Sequence, residues 1–275
     1  MASDPSDRRR IVGMGGGGFA SPPGDPSLDR FVLSAARSPH PRICLLPTAG
    51  GDAEEQIRRF YSAFRHLPCE PTHVSLFRLG SERIDLREVL LGQDVLYVGG
   101  GSLLNLLAVW RAHGADVILR EAWEAGIVLC GISAGSMCWF EAGMTTSFGA
   151  PRPVRALGLL PGSNSVHHDS ESERRPCYHE AIRTESVAPG YAVDDGAGLL
   201  FAGRNLAEAV SARPGAGAYW VEEVDGEAVE RPLEMMTLPG RDELEPPTPL
   251  SIAELRETRS LRLQRSAGRS GRGRR

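Results

Sequence analysis

Short apolar runs alternate with amphipathic stretches over most of this chain. Continuous apolar content and β-branched residues predict strands at residues 10–14, 42–47, 72–77, 94–98 and 127–132. Apolar residues at helical spacing predict helices at residues 52–67, 103–113 and 115–125, and helix-like sequence follows residue 133. This alternation is typical of an α/β fold with a mostly parallel central sheet and helices on both of its faces.

The pattern changes in the last third of the chain. Short strands are predicted at residues 191–193, 198–202, 207–210, 219–224 and 228–232. The last two strands flank Asp225-Gly226, which is a strong hairpin signal because both residues tolerate positive φ. We therefore expect an antiparallel edge near the C-terminus.

The two ends of the chain differ in composition from its centre. Residues 1–9 are polar, and residues 256–275 contain eight Arg and one Glu among Ser and Gly. Such segments bury too little apolar surface to fold. We expect a disordered N-terminus over 1–9, a single α/β hydrolytic domain over 10–240 and a largely disordered Pro/Arg-rich tail over 241–275.

Charge and cysteine content narrow the function classes. The 275 residues carry a net charge of −4, which gives no reason to expect nucleic acid or a membrane as partner. Every basic residue is Arg, so no lysine can serve as a base or Schiff-base former. The five Cys form no CxxC pair, which argues against a disulfide framework or a zinc site, and no apolar signal-peptide core is visible. We expect a cytoplasmic protein, and the sequence is compatible with a homodimer.

The strongest chemical signal is the pentapeptide Gly131-Ile132-Ser133-Ala134-Gly135. It ends an apolar strand and opens a helical stretch, the context that a G-x-S-x-G nucleophile elbow requires. Ser133 is therefore the candidate nucleophile, and a tightly packed turn without catalysis is the alternative. Cys130 and Cys138 flank the motif, but strand and helix geometry direct them elsewhere, as core thiols.

Two glycine runs offer backbone amides to a ligand. Gly100 and Gly101 follow the strand at 94–98, and with Ala134, which follows the nucleophile, they are the predicted oxyanion donors. The run 15–18 is a weaker candidate for a ligand-binding loop. Neither run matches a phosphate-binding GK[ST] loop or a G-x-G-x-x-G fingerprint, so a nucleotide site is disfavoured.

A serine hydroxyl needs a base, and the base needs an orienting acid. His167 and His168 lie in a polar region after a strand predicted at 158–160 and a loop predicted at 161–166. No histidine follows His179, so the Ser–acid–His chain order of ordinary α/β-hydrolases does not fit. The order serine, histidine, acid fits better, with Asp194 or Asp195 as the acid; a solvated Asp-Asp-Gly turn is the alternative.

Together these motifs resemble the peptidase E family of serine peptidases, which also contains the cyanophycinases. The resemblance spans about residues 10–222, on segments 14–18 (MGGGG), 45–52 (LLPTAGGD), 99–107 (GGGS…NLL), 131–135 (GISAG), 158–171 (GLLPGSNSVHHDSE) and 191–197 (YAVDDGA). It implies a class I glutamine-amidotransferase-like α/β fold. It also implies a triad of Ser133, His167 and Asp195, because the first histidine and the acid before glycine match the family pattern.

Two positions depart from that pattern. Ser102 stands where many members carry Asn, and Asp195 where some carry the longer Glu. The resemblance implies a peptidase for short peptides, with dipeptides carrying an N-terminal Asp as candidate substrates. Arg174 or Arg175, next along the chain from the base, could bind that carboxylate through a planar guanidinium; a solvated helix start is the alternative.

Other functions remain open at this point. Another serine hydrolase on the same scaffold, cyanophycinase-like or an esterase, would use the same residues. A non-catalytic binding protein that keeps the scaffold is a further alternative, which a missing triad member would favour; none is missing from the sequence. An amidotransferase is disfavoured because the elbow holds serine. We expect neither a metal nor an organic cofactor, since the adjacent His167, His168 and Asp169 lack metal-ligand spacing.

Overall fold

The computed structural model describes residues 8–21, 26–82 and 84–240. The predicted disordered segments at 1–9, apart from residues 8 and 9, and at 241–275 lie outside the described residues. The described part belongs to one compact unit that ends at Gly240.

Fourteen strands and eight α-helices make up the described part of the chain. The strands are β1 (Arg10–Met14), β2 (Arg42–Leu46), β3 (Glu70–His73), β4 (Val95–Val98), β5 (Val128–Ile132), β6 (Ala142–Thr145), β7 (Arg152–Arg155), β8 (Ser163–Val166), β9 (Gly190–Val193), β10 (Ala197–Ala202), β11 (Asn205–Ser211), β12 (Ala218–Val224), β13 (Glu227–Pro232) and β14 (Met236–Thr237). The helices are α1 (Ser27–Ser34), α2 (Glu54–Phe64), α3 (Leu79–Glu82), α4 (Leu86–Leu91), α5 (Leu103–His113), α6 (Ala115–Glu124), α7 (Ala134–Met137) and α8 (Arg174–Arg183).

The larger sheet has eight strands in the order β14-β11-β10-β1-β5-β4-β2-β3. From β1 to β3 every neighbouring pair is parallel, whereas β10 runs antiparallel to both β1 and β11. The mostly parallel α/β sheet with antiparallel strands from the C-terminal third is therefore confirmed.

Both faces of the larger sheet are buried, which explains its continuous apolar strands. Side chains alternate between two core clusters: Ile11 and Leu96 lie in one, and their neighbours Val12 and Val95 in the other. Helices α1 and α2 contribute to the second cluster, and α4, α5 and α6 to the first. Among the described residues no helix is both long and apolar enough to cross a bilayer.

A second sheet of six strands, in the order β13-β12-β9-β8-β6-β7, was not foreseen from the sequence. Its pairs β6–β8 and β8–β9 are parallel and its other pairs antiparallel. The predicted hairpin is present within it, because Asp225 and Gly226 have φ of 53° and 86° and join β12 to β13. One face packs on the main core through Val166 and Val193, and α8 contacts β12 and β13.

Two sequence-based strand assignments were wrong. Residues 158–160 are irregular, and the strand before His167 is β8, in the stretch expected to be a loop. Its sequence, Ser-Asn-Ser-Val, is polar yet fully buried: Asn164 accepts from Ser136 Oγ at 3.0 Å and donates to the Tyr191 carbonyl at 3.1 Å. A hydrophobic pattern cannot reveal a strand whose buried side chains are mostly polar. The strand expected at 72–77 is β3, at Glu70–His73.

Candidate active site

Ser133 lies on a tight turn between β5 and α7. Its φ of 57° and ψ of −117° place it in a region that L-residues rarely occupy. A Cβ on Gly131 would lie 2.1 Å from the Gly135 carbonyl oxygen, and one on Gly135 would lie 2.3 Å from the Val98 carbonyl oxygen. Both positions therefore exclude any side chain and require glycine. The turn presents the Ser133 side chain at the carboxyl end of β5.

The second sheet brings His167 and Asp195 to the same place. Val166 and Val193, which end β8 and β9, are partners in a parallel ladder, so the residues that follow them emerge side by side. His167 Nε2 lies 2.8 Å from Ser133 Oγ, and His167 Nδ1 lies 2.6 Å from Asp195 Oδ1. The three side chains form one continuous hydrogen-bonded chain.

The structure brings Asp195, and not Asp194, to His167. Asp194 is buried, accepts a hydrogen bond from the Gly217 N–H at 2.9 Å, and has a raised pKa because burial disfavours its charge. The pKa of Asp195 is lowered, first by its hydrogen bond to His167 and further by one to Ser170. Asp195 is accordingly the acid that stays ionised beside the imidazole.

Two further residues hold Asp195 in place, and no sequence motif marks either of them. The Asp195 N–H donates to Asp169 Oδ1 at 2.9 Å, and Arg213 Nε donates to the Asp195 carbonyl oxygen at 3.1 Å. Arg213 also pairs with Asp169. The sequence offers Asp169 only as a candidate metal ligand, and Arg213 lies on the loop between β11 and β12, far from the triad residues along the chain.

The glycine run 15–18 lies beside the acid. A Cβ on Gly16 would lie 2.1 Å from Asp195 Oδ1 and 3.3 Å from His167 Cε1. The Gly196 N–H donates to the Gly16 carbonyl oxygen at 2.8 Å. The absence of side chains in this run leaves space for the His167–Asp195 pair. This role differs from the ligand-binding loop for which the sequence made the run a candidate.

Two of the predicted oxyanion donors, Gly100 and Ala134, lie next to Ser133. A Cβ on Gly100 would lie 3.2 Å from Ser133 Cβ and 3.8 Å from its Oγ, so the Gly100 backbone runs alongside the serine. Within residues 8–21, 26–82 and 84–240, the N–H groups of Gly100, Gly101 and Ala134 have no hydrogen-bond acceptor. These amides are free to donate to a ligand.

Ser102, the departure from the family pattern, has a local structural use. Its Oγ caps α5 by accepting from the Asn105 N–H at 3.2 Å, and it lies 2.9 Å from Ser147 Oγ. The serine therefore both starts α5 and ties it to the loop that follows β6.

Arg174 and Arg175 both have protein partners. Arg174 is buried; its Nε donates to Glu171 Oε2 at 2.7 Å, and its guanidinium also reaches the Met144 carbonyl oxygen and, at 3.5 Å, Thr146 Oγ1. The Glu171 N–H in turn donates to the His167 carbonyl oxygen at 3.1 Å. Arg175 is half exposed and binds Glu230 instead.

His168, His179 and Glu230 form a compact cluster next to the candidate base. Their ligand atoms lie within 4.8 Å of one another, close enough to hold a metal ion. However, Glu230 Oε1 lies 2.6 Å from His168 Nε2, 2.7 Å from His179 Nε2 and 3.0 Å from Arg175 Nε, and its Oε2 lies 2.7 Å from Arg175. Arg175 thus already supplies the positive charge that a metal ion would bring, and the carboxylate oxygens are occupied by N–H donors.

Burial and hydrogen bonds oppose each other in this cluster. Burial by itself raises the pKa of Glu230, but the N–H donors of Arg175, His168 and His179 outweigh it and lower that pKa to about 2. Burial lowers the pKa of His168, which favours the neutral imidazole. Glu230 thus lies at the centre of a partly buried hydrogen-bond network that joins β13 to α8 and to His168 before that helix.

The two cysteines that flank the elbow are buried, and burial raises the pKa of both thiols. Cys130 Sγ contacts the Leu96 carbonyl oxygen at 3.5 Å and Cys138 Sγ the Gly135 carbonyl oxygen at 3.2 Å. They are core thiols, and Ser133, which is only partly buried, is the accessible nucleophilic group at this turn.

Sequence comparisons relate this chain to known peptidases. The model of peptidase family S51 matches residues 11–209. YgaJ of Bacillus subtilis (strain 168), named as an uncharacterised peptidase, is 48% identical over 225 residues, which cover 82% of this chain and 97% of that protein.

Two crystal structures share the fold at low sequence identity. A peptidase from an acI-B1 actinobacterium is 16% identical and superposes with a TM-score of 0.61 over 82% of this chain and 94% of its own. A protein of Listeria monocytogenes EGD-e, named as a peptidase E candidate, is 17% identical. It superposes with a TM-score of 0.53 over 72% of this chain and 96% of its own.

Proposed function

Since the chain belongs to peptidase family S51 and is a serine peptidase, we propose that it hydrolyses short peptides with a triad of Ser133, His167 and Asp195. The observation that supports this proposal most directly is the continuous hydrogen-bonded chain from Ser133 Oγ through both ring nitrogens of His167 to Asp195 Oδ1. Such a chain lets a neutral imidazole accept the serine proton while a carboxylate stabilises the imidazolium that forms.

The carboxylate determines which ring nitrogen carries the proton. Asp195, kept ionised by its lowered pKa, accepts a hydrogen bond from the Nδ1–H of His167, so the proton stays on Nδ1 and Nε2 presents its lone pair to Ser133 Oγ. This tautomer is the one that a general base needs.

In the acylation step Ser133 Oγ forms a bond to the scissile carbonyl carbon and its proton passes to His167 Nε2. The carbonyl oxygen becomes an oxyanion, which the free N–H groups of Gly100, Gly101 and Ala134 are placed to stabilise. His167 then protonates the leaving amine as the C–N bond breaks. Water, deprotonated by His167, attacks the acyl-enzyme and releases the acid and Ser133.

For the substrate we propose a short peptide, with an N-terminal Asp as the preferred residue. The support is the placement of Arg174, whose partner Glu171 is bonded to the backbone of His167. A buried guanidinium near the base could exchange one of its protein acceptors for the carboxylate of the substrate. Arg175, paired with Glu230 at the next position, is the second candidate.

Kinetics on matched dipeptides test this specificity. If Arg174 or Arg175 binds the side chain, its replacement by Ala should lower kcat/KM for Asp-Leu by about thirtyfold more than for Ala-Leu, or about 2 kcal/mol. Each arginine serves as the control for the other. An equal effect on both substrates in both variants would place specificity elsewhere in the pocket.

A dipeptide-library assay of the wild-type protein and of Ser133→Ala tests the chemistry. The variant should fold normally and lose at least about 3 kcal/mol of transition-state stabilisation, which is more than a hundredfold in kcat/KM. A serine-reactive phosphonate should label Ser133, and dialysis against EDTA should leave activity unchanged. Retained activity in Ser133→Ala would refute the triad, and turnover of esters alone would indicate another serine hydrolase.

We also propose a cytoplasmic location. The support is that all five cysteines, each of them within the described part of the chain, are free thiols.

A further inference from the structure

Gln56 lies in the first turn of α2, far from the three triad residues along the chain, yet its side chain reaches the glycine run beside Ser133. Its Nε2 donates to the Gly100 carbonyl oxygen at 3.2 Å. A Cβ on Gly99 would lie 2.6 Å from Gln56 Oε1 and 2.8 Å from its Cδ, so the amide lies flat against the Gly99 backbone.

The orientation of this amide follows from its partner. Turning it over would place Oε1 against the Gly100 carbonyl oxygen, and two acceptors facing each other repel. Nε2 is therefore the atom that meets the carbonyl, which leaves Oε1 buried without a partner among the described residues.

A hydrogen bond to the Gly100 carbonyl also fixes the Gly101 N–H. The two groups belong to one planar trans peptide, in which C=O and N–H point in opposite directions. The carbonyl points to Gln56, so the N–H points away from it. That N–H has no acceptor in the described part of the chain, and the Gly100 backbone lies against Ser133.

The other side of the peptide is fixed as well. Gly101 has φ of 144°, and a Cβ there would lie 2.1 Å from the Ala49 carbonyl oxygen. The next N–H, that of Ser102, donates to the same carbonyl at 2.8 Å. The Gly100–Gly101 peptide is thus held between the loop before α2 and the side chain of Gln56. Of these contacts, only the one from Gln56 is made by a side chain.

We propose that Gln56 is a positioning residue that orients the Gly100–Gly101 peptide so that the Gly101 N–H stabilises the oxyanion; this inference rests on the proposed function. An oxyanion donor acts only if its direction is set before charge develops. Without Gln56 the peptide can rotate, and the donor must be reoriented during the reaction. The cost therefore falls on the transition state and not on substrate binding.

Gln56→Met tests the proposal, because it keeps the volume of the side chain and removes the donor. We expect kcat on the best dipeptide to fall by about ten- to a hundredfold, somewhat less than the loss of a whole oxyanion donor, with KM changed by less than about twofold. The affinity of a dipeptide boronic acid, whose tetrahedral adduct places an oxygen where the oxyanion forms, should weaken by the same factor. Arg58→Met, at an exposed position on the same helix, is the matched control and should behave as wild type.

Gln56→Glu is a second, nearly isosteric variant in case the first destabilises the fold. A carboxylate cannot donate to the Gly100 carbonyl and adds negative charge near the oxyanion, so its kcat should fall below that of Gln56→Met. Wild-type kcat and boronate affinity in either folded variant would overturn the inference. Equal losses of affinity for the dipeptide and for the boronate would also overturn it, since these indicate a general structural role.

The two proposals fail in different ways. Turnover by Ser133→Ala would refute the proposed function, and with it the basis of this inference. An inactive Ser133→Ala together with a fully active Gln56→Met would refute the role of Gln56 alone.

Discussion

Replacing Ser133 with glycine should give a more stable protein than replacing it with alanine, because the backbone at this turn is strained. Ser133 has φ of 57° and ψ of −117°, which is unfavourable for any residue with a Cβ and accessible to glycine. Both variants lose the Oγ hydrogen bond to His167, so the difference between them reports the backbone.

The magnitude follows from two opposing contributions. A residue held in such a sparsely populated region costs about 1 to 3 kcal/mol, which glycine relieves. Glycine also gives the unfolded chain more freedom, which costs about 0.4 to 1 kcal/mol relative to alanine. The free energy of unfolding of Ser133→Gly should therefore exceed that of Ser133→Ala by about 1 kcal/mol, within the range of about 0 to 2.6 kcal/mol that the two contributions leave. A difference of about 1 kcal/mol is roughly 2 to 4 °C in Tm for a domain of this size.

Urea unfolding of the two variants, followed by circular dichroism, measures this difference. Neither variant should turn over substrate, so activity does not complicate the comparison. Ala134→Gly is the control, because the next residue begins α7 and glycine there should destabilise by about 0.5 to 1 kcal/mol. If Ser133→Gly were no more stable than Ser133→Ala, the elbow would carry less than about 1 kcal/mol of strain and the argument would be wrong.

Three further outcomes are expected. Asp195→Asn should lower kcat/KM by about a thousandfold or more, because the amide cannot hold the required tautomer of His167; a loss below tenfold would exclude Asp195 as the acid. Gly16→Ala should also lower activity by at least about tenfold, since its Cβ would lie 2.1 Å from Asp195 Oδ1; unchanged kinetics would contradict that crowding. Folding lowers the pKa of Glu230 from 4.5 to about 2, so its ionised carboxylate stabilises the folded protein. This stabilisation is complete above pH 4.5 and declines as the pH falls toward 2. Screening by solvent reduces this contribution to about 1 to 2 kcal/mol, and urea unfolding at several pH values should show it missing in Glu230→Gln and present in the exposed control Glu234→Gln.

Much of the fold follows from local pattern. The strands β1, β2, β4 and β5 were predicted to within one or two residues, because each is a continuous apolar run buried on both faces. The second sheet escaped prediction. Its strands are short, and β8 is a polar sequence whose burial depends on partners from other elements.

The candidate site divides in the same way. The sequence determined the turn at Ser133, because Gly131 and Gly135 are required by contacts within a few residues or with the adjacent strand. It also predicted that a histidine and an aspartate would complete the site, but it misplaced the strand before His167, and local pattern left Asp194 and Asp195 equivalent.

The family resemblance favoured Asp195 over Asp194, and only the tertiary structure showed which of them meets His167 and which other side chains hold it there. Asp195 is held toward His167 by Asp169 and Arg213, from positions 26 and 18 residues away along the chain, and Gln56 reaches Gly100 across 44 residues. Strand and turn patterns record interactions between near neighbours, whereas hydrogen bonds between distant loops leave no periodic trace in a sequence. The direction of each donor and acceptor around Ser133 was therefore decided by how the two sheets and their loops meet in space.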